Sequence, residues 1–462
     1  MFKPKKTNNG LHIIIVGCGK VGATLVEILS NEGHYITVID KNSHKIETLC
    51  NTFDVMGVEG NGASFTVQEE AGIKKADLLI AVTNSDELNL LCCTVARRVG
   101  NCSTIARVRT PEYNKEVLYL TEQLGLAMVI NPEYEVAKEI SRILCLPSAL
   151  EVSSFAHGQA EVIKYKIDEN NKLNGVAVNR LPSLINTKIL ICAIERNDEV
   201  FIPSGDTVIK SGDTISFVTP RKTVKEFFSH MGVKSTKIRE VMIIGGGKAA
   251  YYLTNMLLNM GMSVKIIESD RARCEELSIL LPKAIIINGD GTNEELLKEE
   301  GIENVHSFIP LTGIDEENII LTLYAKQVSK AKVITKINKI NFRGVINKLD
   351  LGSIVYPRYI TSEAIVAYVR AKKNSMDSNI ETLYHMFNNR VEAIEFKIDK
   401  ESAVTNTTLA ELSLKKNLLI AFINRNGKVF MPNGSDCIMV GDTVMIVTTH
   451  FGFNNVSDIL DK

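Results

Sequence analysis

Two glycine-rich turns carry the chemistry open to this sequence. The first reads GCGKVG from Gly17 to Gly22, and the second reads GGGKAA from Gly245 to Ala250. Where such a turn leaves a strand and opens a helix, Gly17 allows the tight bend, Gly19 lets the backbone approach a pyrophosphate, and Gly22 lets helix and sheet pack closely. Free N–H groups at the helix start then face the anion. Asp40 lies 18 residues beyond Gly22 (40 − 22 = 18), the spacing of a carboxylate that accepts hydrogen bonds from ribose hydroxyls. The second turn keeps Gly245, Gly247 and Glu268 but sets Ala250 where the third glycine stood, a position that serves packing and not phosphate approach. A carboxylate at Asp40 or Glu268 repels a 2′-phosphate, so NAD(H) is expected over NADP(H). ATP and ADP share the adenosine ribose and fit the same logic. Lys20 and Lys248 occupy equivalent places inside the turns, either reaching phosphate oxygens or standing as solvated surface lysines. Arg107 and Lys336 are equivalent at the end of the fifth strand, the sheet edge where ligands bind, and a cation there meets a phosphate or a neighbouring subunit.

The elements that position these residues occur twice. Thr83 returns as Thr312 (312 − 83 = 229) and Pro203 as Pro432 (432 − 203 = 229), so the repeat is roughly half the chain. Apolar runs at His12–Val16, Ile36–Ile39, Asp54–Val58, Leu78–Val82, Thr104–Val108 and Ala127–Ile130 alternate with helical patterns, as do their counterparts from Val241 to Tyr356. Six strands alternating with helices imply a parallel sheet covered on both faces. Each such region is followed by a shorter stretch of alternating strands and tight turns, including Glu161–Ile167, a short helix in Val176–Leu184, Ile189–Glu195 and Thr214–Val218. The fold class expected is α/β, with two doubly wound, Rossmann-like domains at 1–145 and 231–375. Small α+β domains follow at 146–230 and 376–462. Polar, lysine-rich stretches at Ser229–Glu240 and Lys372–Asn379 read as linkers or surface loops.

Composition narrows the function. With 462 residues, 45% of them hydrophobic, and a formal net charge of −1, the chain can build several cores but lacks the basic excess that nucleic-acid binding needs. The nine cysteines are scattered without a C-x-x-C, which suits reduced, buried thiols in a cytosol. Lys3, Lys5 and Lys6 precede an apolar stretch, but Gly17 interrupts it too soon for a signal peptide. No run approaches the length needed to cross a bilayer, so any membrane connection is expected through a partner. The eight histidines are dispersed, and no metal or nucleophile signature stands out, so no catalytic or metal-ligating residues are expected. An NAD-dependent oxidoreductase is the alternative that the glycine turns alone leave open.

The arrangement resembles the TrkA-type regulatory subunits of bacterial potassium uptake systems, a duplicated RCK-type nucleotide-binding family. The resemblance is carried by IIIVGCGKVGATL with Asp40, GVEGNGAS, ADLLIAVTNSDELNLL and ARVR in the first half. IINGDGTNEELL and LTGIDEENII follow in the second, and IPSGDTVIKSGD and MPNGSDCIMVGD in the small domains. It implies NAD(H), or ATP or ADP, as ligand, with Gly17, Gly19, Lys20, Val21 and Gly22 at the phosphates and Asp40 at the ribose. Asn61 would take the adenosine end, and Thr83, Asn84 and Arg107 the remaining rim. The counterparts are Gly245, Gly247, Lys248, Ala250, Glu268, Asp290, Thr312 and Lys336. This sequence departs from the pattern at Asn61, where the second repeat has Asp, at Lys336 in place of arginine, and at Ala250. The resemblance further implies a non-enzymatic subunit that assembles into a ring, a tetramer, on the cytoplasmic face of the membrane. There it would regulate an integral-membrane, TrkH-like potassium-translocating partner. The same architecture serving another ion pathway is the second alternative.

Overall fold

A computed structural model describes residues 10–185, 188–232, 237–338, 346, 348–373, 380–387 and 390–461. The N-terminal lysines and parts of both polar junctions (233–236 and 374–379) lie outside the described residues. The chain folds as two compact units, residues 1–136 with 356–369 and residues 137–355 with 370–462.

The first unit holds β1 (His12–Val16), β2 (Tyr35–Asp40), β3 (Met56–Glu59), β4 (Leu78–Ala81), β5 (Ser103–Arg107) and β6 (Met128–Ile130). They pair in the order β3-β2-β1-β4-β5-β6, every neighbour parallel. Strand order reverses between β1 and β4, which opens the crevice where doubly wound sheets take their ligands. Ile13, Ile14, Ile15, Leu78, Leu79 and Ile80 are all buried, because helices cover both faces of the sheet. The helix Asp86–Gly100 shows how local sequence sets its ends. Ser85 Oγ accepts from the Leu88 N–H at 3.1 Å, Asp86 and Glu87 occupy the first turn, and Arg97 and Arg98 the last. Asn101, in the left-handed region at φ 52°, closes it.

In the second unit the same sheet recurs as β14-β13-β12-β15-β16-β17. It is built from β12 (Glu240–Ile244), β13 (Ser263–Glu268), β14 (Ile285–Asn288), β15 (Ser307–Pro310), β16 (Lys332–Lys336) and β17 (Ser353–Val355). This unit also holds two five-stranded antiparallel sheets. One runs β10-β9-β11-β8-β7, from β7 (Glu151–Phe155), β8 (Ala160–Lys166), β9 (Leu190–Arg196), β10 (Glu199–Phe201) and β11 (Thr214–Pro220). The other runs β18-β19-β22-β20-β21, from β18 (Ile380–Met386), β19 (Val391–Lys397), β20 (Leu418–Arg425), β21 (Lys428–Phe430) and β22 (Thr443–Thr448). The edge strands β7 and β18 were not expected from the sequence. The stretch Val176–Leu184 forms only short helical turns, at Val178–Arg180 and Leu181–Leu184.

Both small sheets bury both faces. In β8, Ile163 and Tyr165, with Ile167 just beyond its end, belong to a core shared with Phe227 and Phe228, while Ala160 and Val162 belong to a core on the other side. There they meet Met386, Ala393, Phe422 and Met445 of the second small sheet, so the two sheets pack face to face within one chain. Each module is tied internally by the same ion pair. Arg196 donates from Nε and Nη2 to Asp213 at 2.7 and 2.6 Å, and Arg425 to Asp442 at 2.8 and 2.7 Å. The carboxylate also accepts from a turn N–H, that of Lys210 or Met439, at 2.8 Å. Because the arginines remain partly hydrated when left alone, Asp442→Ala is expected to cost about 2 kcal/mol, measured by equilibrium denaturation.

Candidate nucleotide site

At the first turn, Gly17 sits at φ +105°, its N–H donating to Ile39 O at 2.8 Å. A side chain there would press on the Thr83 backbone N at 3.0 Å, so glycine is required by conformation and by space. Gly245 repeats this at φ +94°, against the backbone of Leu311 and Thr312 at 3.3 Å. Gly22 and Ala250 lie one helical turn in, where Gly22 has Gly17 O only 1.9 Å from the site of a Cβ. Gly19 and Gly247 are different. Among the described residues, nothing stands within 4 Å of where their Cβ would lie, so the face of each turn is open. Each is the N-cap of a twelve-residue helix, Lys20–Asn31 or Lys248–Asn259, and contributes no side-chain cap. No N-cap side chain therefore covers the start of either helix, where backbone N–H groups favour an anion.

The acidic residues lie beside these turns and bind them. Asp40 Oδ2 accepts from the Cys18 N–H at 2.7 Å and Oδ1 from the Asn42 N–H at 3.0 Å. Glu268 Oε2 accepts from the Gly246 N–H at 2.6 Å and Oε1 from the Asp270 N–H at 2.8 Å. Each carboxylate therefore braces its own glycine turn and keeps lone pairs for a ribose. Gly62 and Gly291 bring the next loop close, each Cβ site lying 2.2 Å from a methyl of Val16 or Ile244. That places Asn61 and Asp290, both exposed, at the strand ends. Asn61 Oδ1 accepts from the Ala63 N–H at 3.2 Å, and Asp290 Oδ1 from Thr292 N and Oγ1 at 2.9 and 2.8 Å. Those two bonds hold the Asp290 carboxyl below the usual range.

Two residues not singled out by the sequence reading organise the far rim. Asn89 is fully buried, and its Oδ1 accepts from Thr83 N at 2.8 Å and Thr83 Oγ1 at 2.7 Å. Its Nδ2 donates to Thr83 O at 3.3 Å and Arg107 O at 2.9 Å. Asn318 does the same in the second repeat, to Thr312 N and Oγ1 at 3.0 and 2.9 Å, to Thr312 O at 3.3 Å and to Lys336 O at 3.1 Å. Asp86 adds a second brace, accepting from the Arg109 and Thr110 N–H groups at 2.9 and 2.8 Å. The signal was present as SDELN and IDEEN at the common offset (318 − 89 = 229), where the asparagines read as ordinary helix residues.

The rim cations differ between copies. Arg107 is 9% exposed, and its Nε has no hydrogen-bond partner among the described residues. Burial, together with neighbouring Arg109, pulls its pKa down, so an anion in the crevice would relieve a buried charge. Lys336 instead donates from Nζ to Leu311 O at 2.8 Å. Lys20 is exposed and Lys248 half-buried, Val21 is buried beneath the first helix, and exposed Asn84 offers its carbonyl to Arg109 Nη2. The structure thus gathers the residues of each half at one sheet edge, open at the turn and lined by N–H donors, a carboxylate and a cation. A dinucleotide or nucleoside di- or triphosphate fits that donor set.

The profile of the TrkA-N domain family matches residues 13–132 and 241–357, and that of the TrkA-C domain family matches 162–232 and 393–460. This chain belongs to the TrkA family of Trk-system potassium uptake proteins. It is 32% identical over 440 residues to the Trk system potassium uptake protein TrkA of Haemophilus influenzae, covering 94% of this chain and 95% of that protein. With TrkA of Vibrio alginolyticus the identity is 31% over 453 residues, covering 97% and 98%. Among solved structures, the GsuK channel bound to NAD superposes with a TM-score of 0.62 at 16% identity, covering 96% of this chain and 78% of that one. At that identity the likeness concerns the fold. Among the described residues, no helix is long and apolar enough to cross a membrane, and no group of three or more His, Cys, Asp or Glu could hold a metal.

Proposed function

We propose that this chain is a nucleotide-sensing, non-enzymatic regulatory subunit of a Trk-type potassium uptake system. It binds NAD(H), ATP or ADP at the two glycine turns and acts on an integral-membrane potassium-translocating partner from the cytoplasmic face, in a ring of its own copies, a tetramer. The observation that carries the reading is the doubled, open turn. Each copy offers a helix start without a side-chain cap at Gly19 or Gly247 and a carboxylate at Asp40 or Glu268, in a chain of the TrkA family. Support for the ligand class comes from solved relatives in fold described as GsuK bound to NAD and GsuK bound to ADP. Gly17, Lys20, Val21, Gly22, Asn61, Thr83, Asn84 and Arg107 complete the first site, and Gly245, Lys248, Ala250, Asp290, Thr312 and Lys336 the second. A nucleotide shifts such a ring between shapes only by its difference in affinity for them, about 1–3 kcal/mol of coupling.

The test is calorimetry of the full chain with NADH, NAD, ATP and ADP, paired with potassium uptake by cells carrying Gly19→Asp. Open space at Gly19 and its ordinary φ of −76° admit the aspartate without a clash. Its charge should repel the phosphates and lower affinity at the first turn at least a hundredfold. Bound NADH should remain unoxidised in the presence of carbonyl compounds. The proposal fails if none of the four nucleotides binds, or if Gly19→Asp changes neither binding nor uptake.

A further inference from the structure

The two small modules place a glutamate at the same strand position and treat it in opposite ways. In the second module Glu392 on β19 is fully buried, and Arg370, 2% exposed, donates to it from Nη2 at 2.8 Å and Nη1 at 3.2 Å. His385, its cross-strand neighbour on β18, approaches to 3.3 Å, and the Gly452 N–H donates at 3.3 Å. Burial would push this carboxyl up, but His385 and Arg370 together hold it below the usual range. The site is filled and its charge is matched.

In the first module Glu161 on β8 holds the matching strand position, opposite Thr219 as Glu392 is opposite Thr448, without those partners. Its cross-strand neighbour is Ser154, which donates from Oγ to Oε2 at 2.9 Å. The helices Pro132–Cys145 and Pro357–Lys373 both begin at a proline, and counting from it (370 − 357 = 145 − 132 = 13) sets Cys145 where the second module has Arg370. Glu161 is 5% exposed, and its nearest cation is Arg221 Nε at 3.7 Å, on a side chain 72% exposed. Burial accordingly raises its pKa, and Ser154, Arg221 and Arg142 do not offset that. Beside it opens a cavity of about 530 Å³, lined by Arg142, Ser154, Glu161, Arg221, Glu381 and Glu395 among others. That volume lies in the range of small-molecule sites.

We propose that this cavity binds a small zwitterion. Its guanidinium or ammonium group meets Glu161, in the role that Arg370 fills for Glu392, and its carboxylate meets Arg142 and Arg221. The lining carries three carboxylates against two guanidinium groups, so a lone anion would deepen the imbalance, and a lone cation would correct it without giving either guanidinium a further acceptor. A ligand bearing both charges satisfies each wall.

L-arginine is the probe, titrated into the full chain by calorimetry, with agmatine, which lacks the carboxylate, and sodium chloride of equal ionic strength as comparisons. One L-arginine should bind per chain, and agmatine at least tenfold more weakly. Glu161→Gln should weaken L-arginine binding at least tenfold. Cys145→Arg should abolish it by supplying the guanidinium from the protein. Neither variant shares a residue with the glycine turns, so unchanged nucleotide affinity and thermal transition in each would certify the fold. Equal L-arginine affinity in wild type and Glu161→Gln overturns the proposal. So does the absence of saturable binding to wild type at millimolar concentrations.

Discussion

Gly22→Ala is expected to remove nucleotide binding from the first turn, leave it at the second, and cost about 2–3 kcal/mol of stability. Glycine to alanine inside a helix ordinarily stabilises by up to about 1 kcal/mol, so the expected sign is the reverse of the usual one. The reason is a backbone contact. An added Cβ would lie 1.9 Å from Gly17 O and 3.1 Å from Gly17 C. Gly17 cannot retreat, because its N–H is bonded to Ile39 O at 2.8 Å and its own Cβ site already touches the Thr83 backbone. The helix must therefore lift from the turn, carrying away the N–H groups that would face a phosphate. In the second repeat Ala250 occupies this place, 1% exposed, where the helix accommodates the methyl. Ala250→Gly should consequently change stability by only about 1 kcal/mol and spare its site. Calorimetry with NADH, reading the number of sites per chain, checks both. Two sites remaining in Gly22→Ala would show that the close approach is dispensable.

How much of this was legible in sequence depends on whether backbone or side chain carries the information. The parallel strands announce themselves because both faces are buried: Ile13 to Val16 and Leu78 to Ala81 are continuous apolar runs, whereas the register of β1 against β2 and β4 belongs to the structure. The glycine turns are equally legible, since a positive φ at Gly17 and Gly245 and close packing at Gly22 leave few alternatives to glycine. Strands β7 and β18 were hidden. Ser153, Ser154, Glu381 and His385 interrupt their apolar pattern, and what makes them strands is pairing with β8 and β19. The face-to-face packing of the small modules was hidden as well, because alternation in β8 shows that two faces exist but not what covers the second. Asp40 was found by spacing, yet its bonds to the Cys18 and Asn42 N–H groups belong to three-dimensional placement. The structure also separates what the repeat had equated. Arg107 and Lys336 hold the same strand position, but the Arg107 Nε has no partner among the described residues, whereas the Lys336 ammonium is bonded to Leu311 O.

The clearest case of an overlooked role is Asn89, and its removal carries the second large effect. Asn89→Ala is expected to cost about 3–4 kcal/mol, because it leaves the Thr83 N–H and the Arg107 carbonyl, both at the crevice edge, without their partner. The same change frees the ends of β4 and β5 from one another, so Thr83 and Arg107 no longer present a fixed rim. Affinity for NADH or ADP at the first turn should fall at least tenfold while the second turn is unaffected. Asn318→Ala should give the mirror result, since its four bonds to Thr312 and Lys336 reproduce the arrangement. Asn89→Asp distinguishes structure from positioning. An aspartate still accepts from Thr83 N and Oγ1 but cannot donate to Arg107 O, so it should recover part of the stability and less of the affinity. Denaturation and calorimetry on the same three variants make the comparison. If stability falls in Asn89→Ala while affinity at the first turn holds, the clamp supports the sheet alone, and the rim residues Thr83 and Arg107 lose their place in the site.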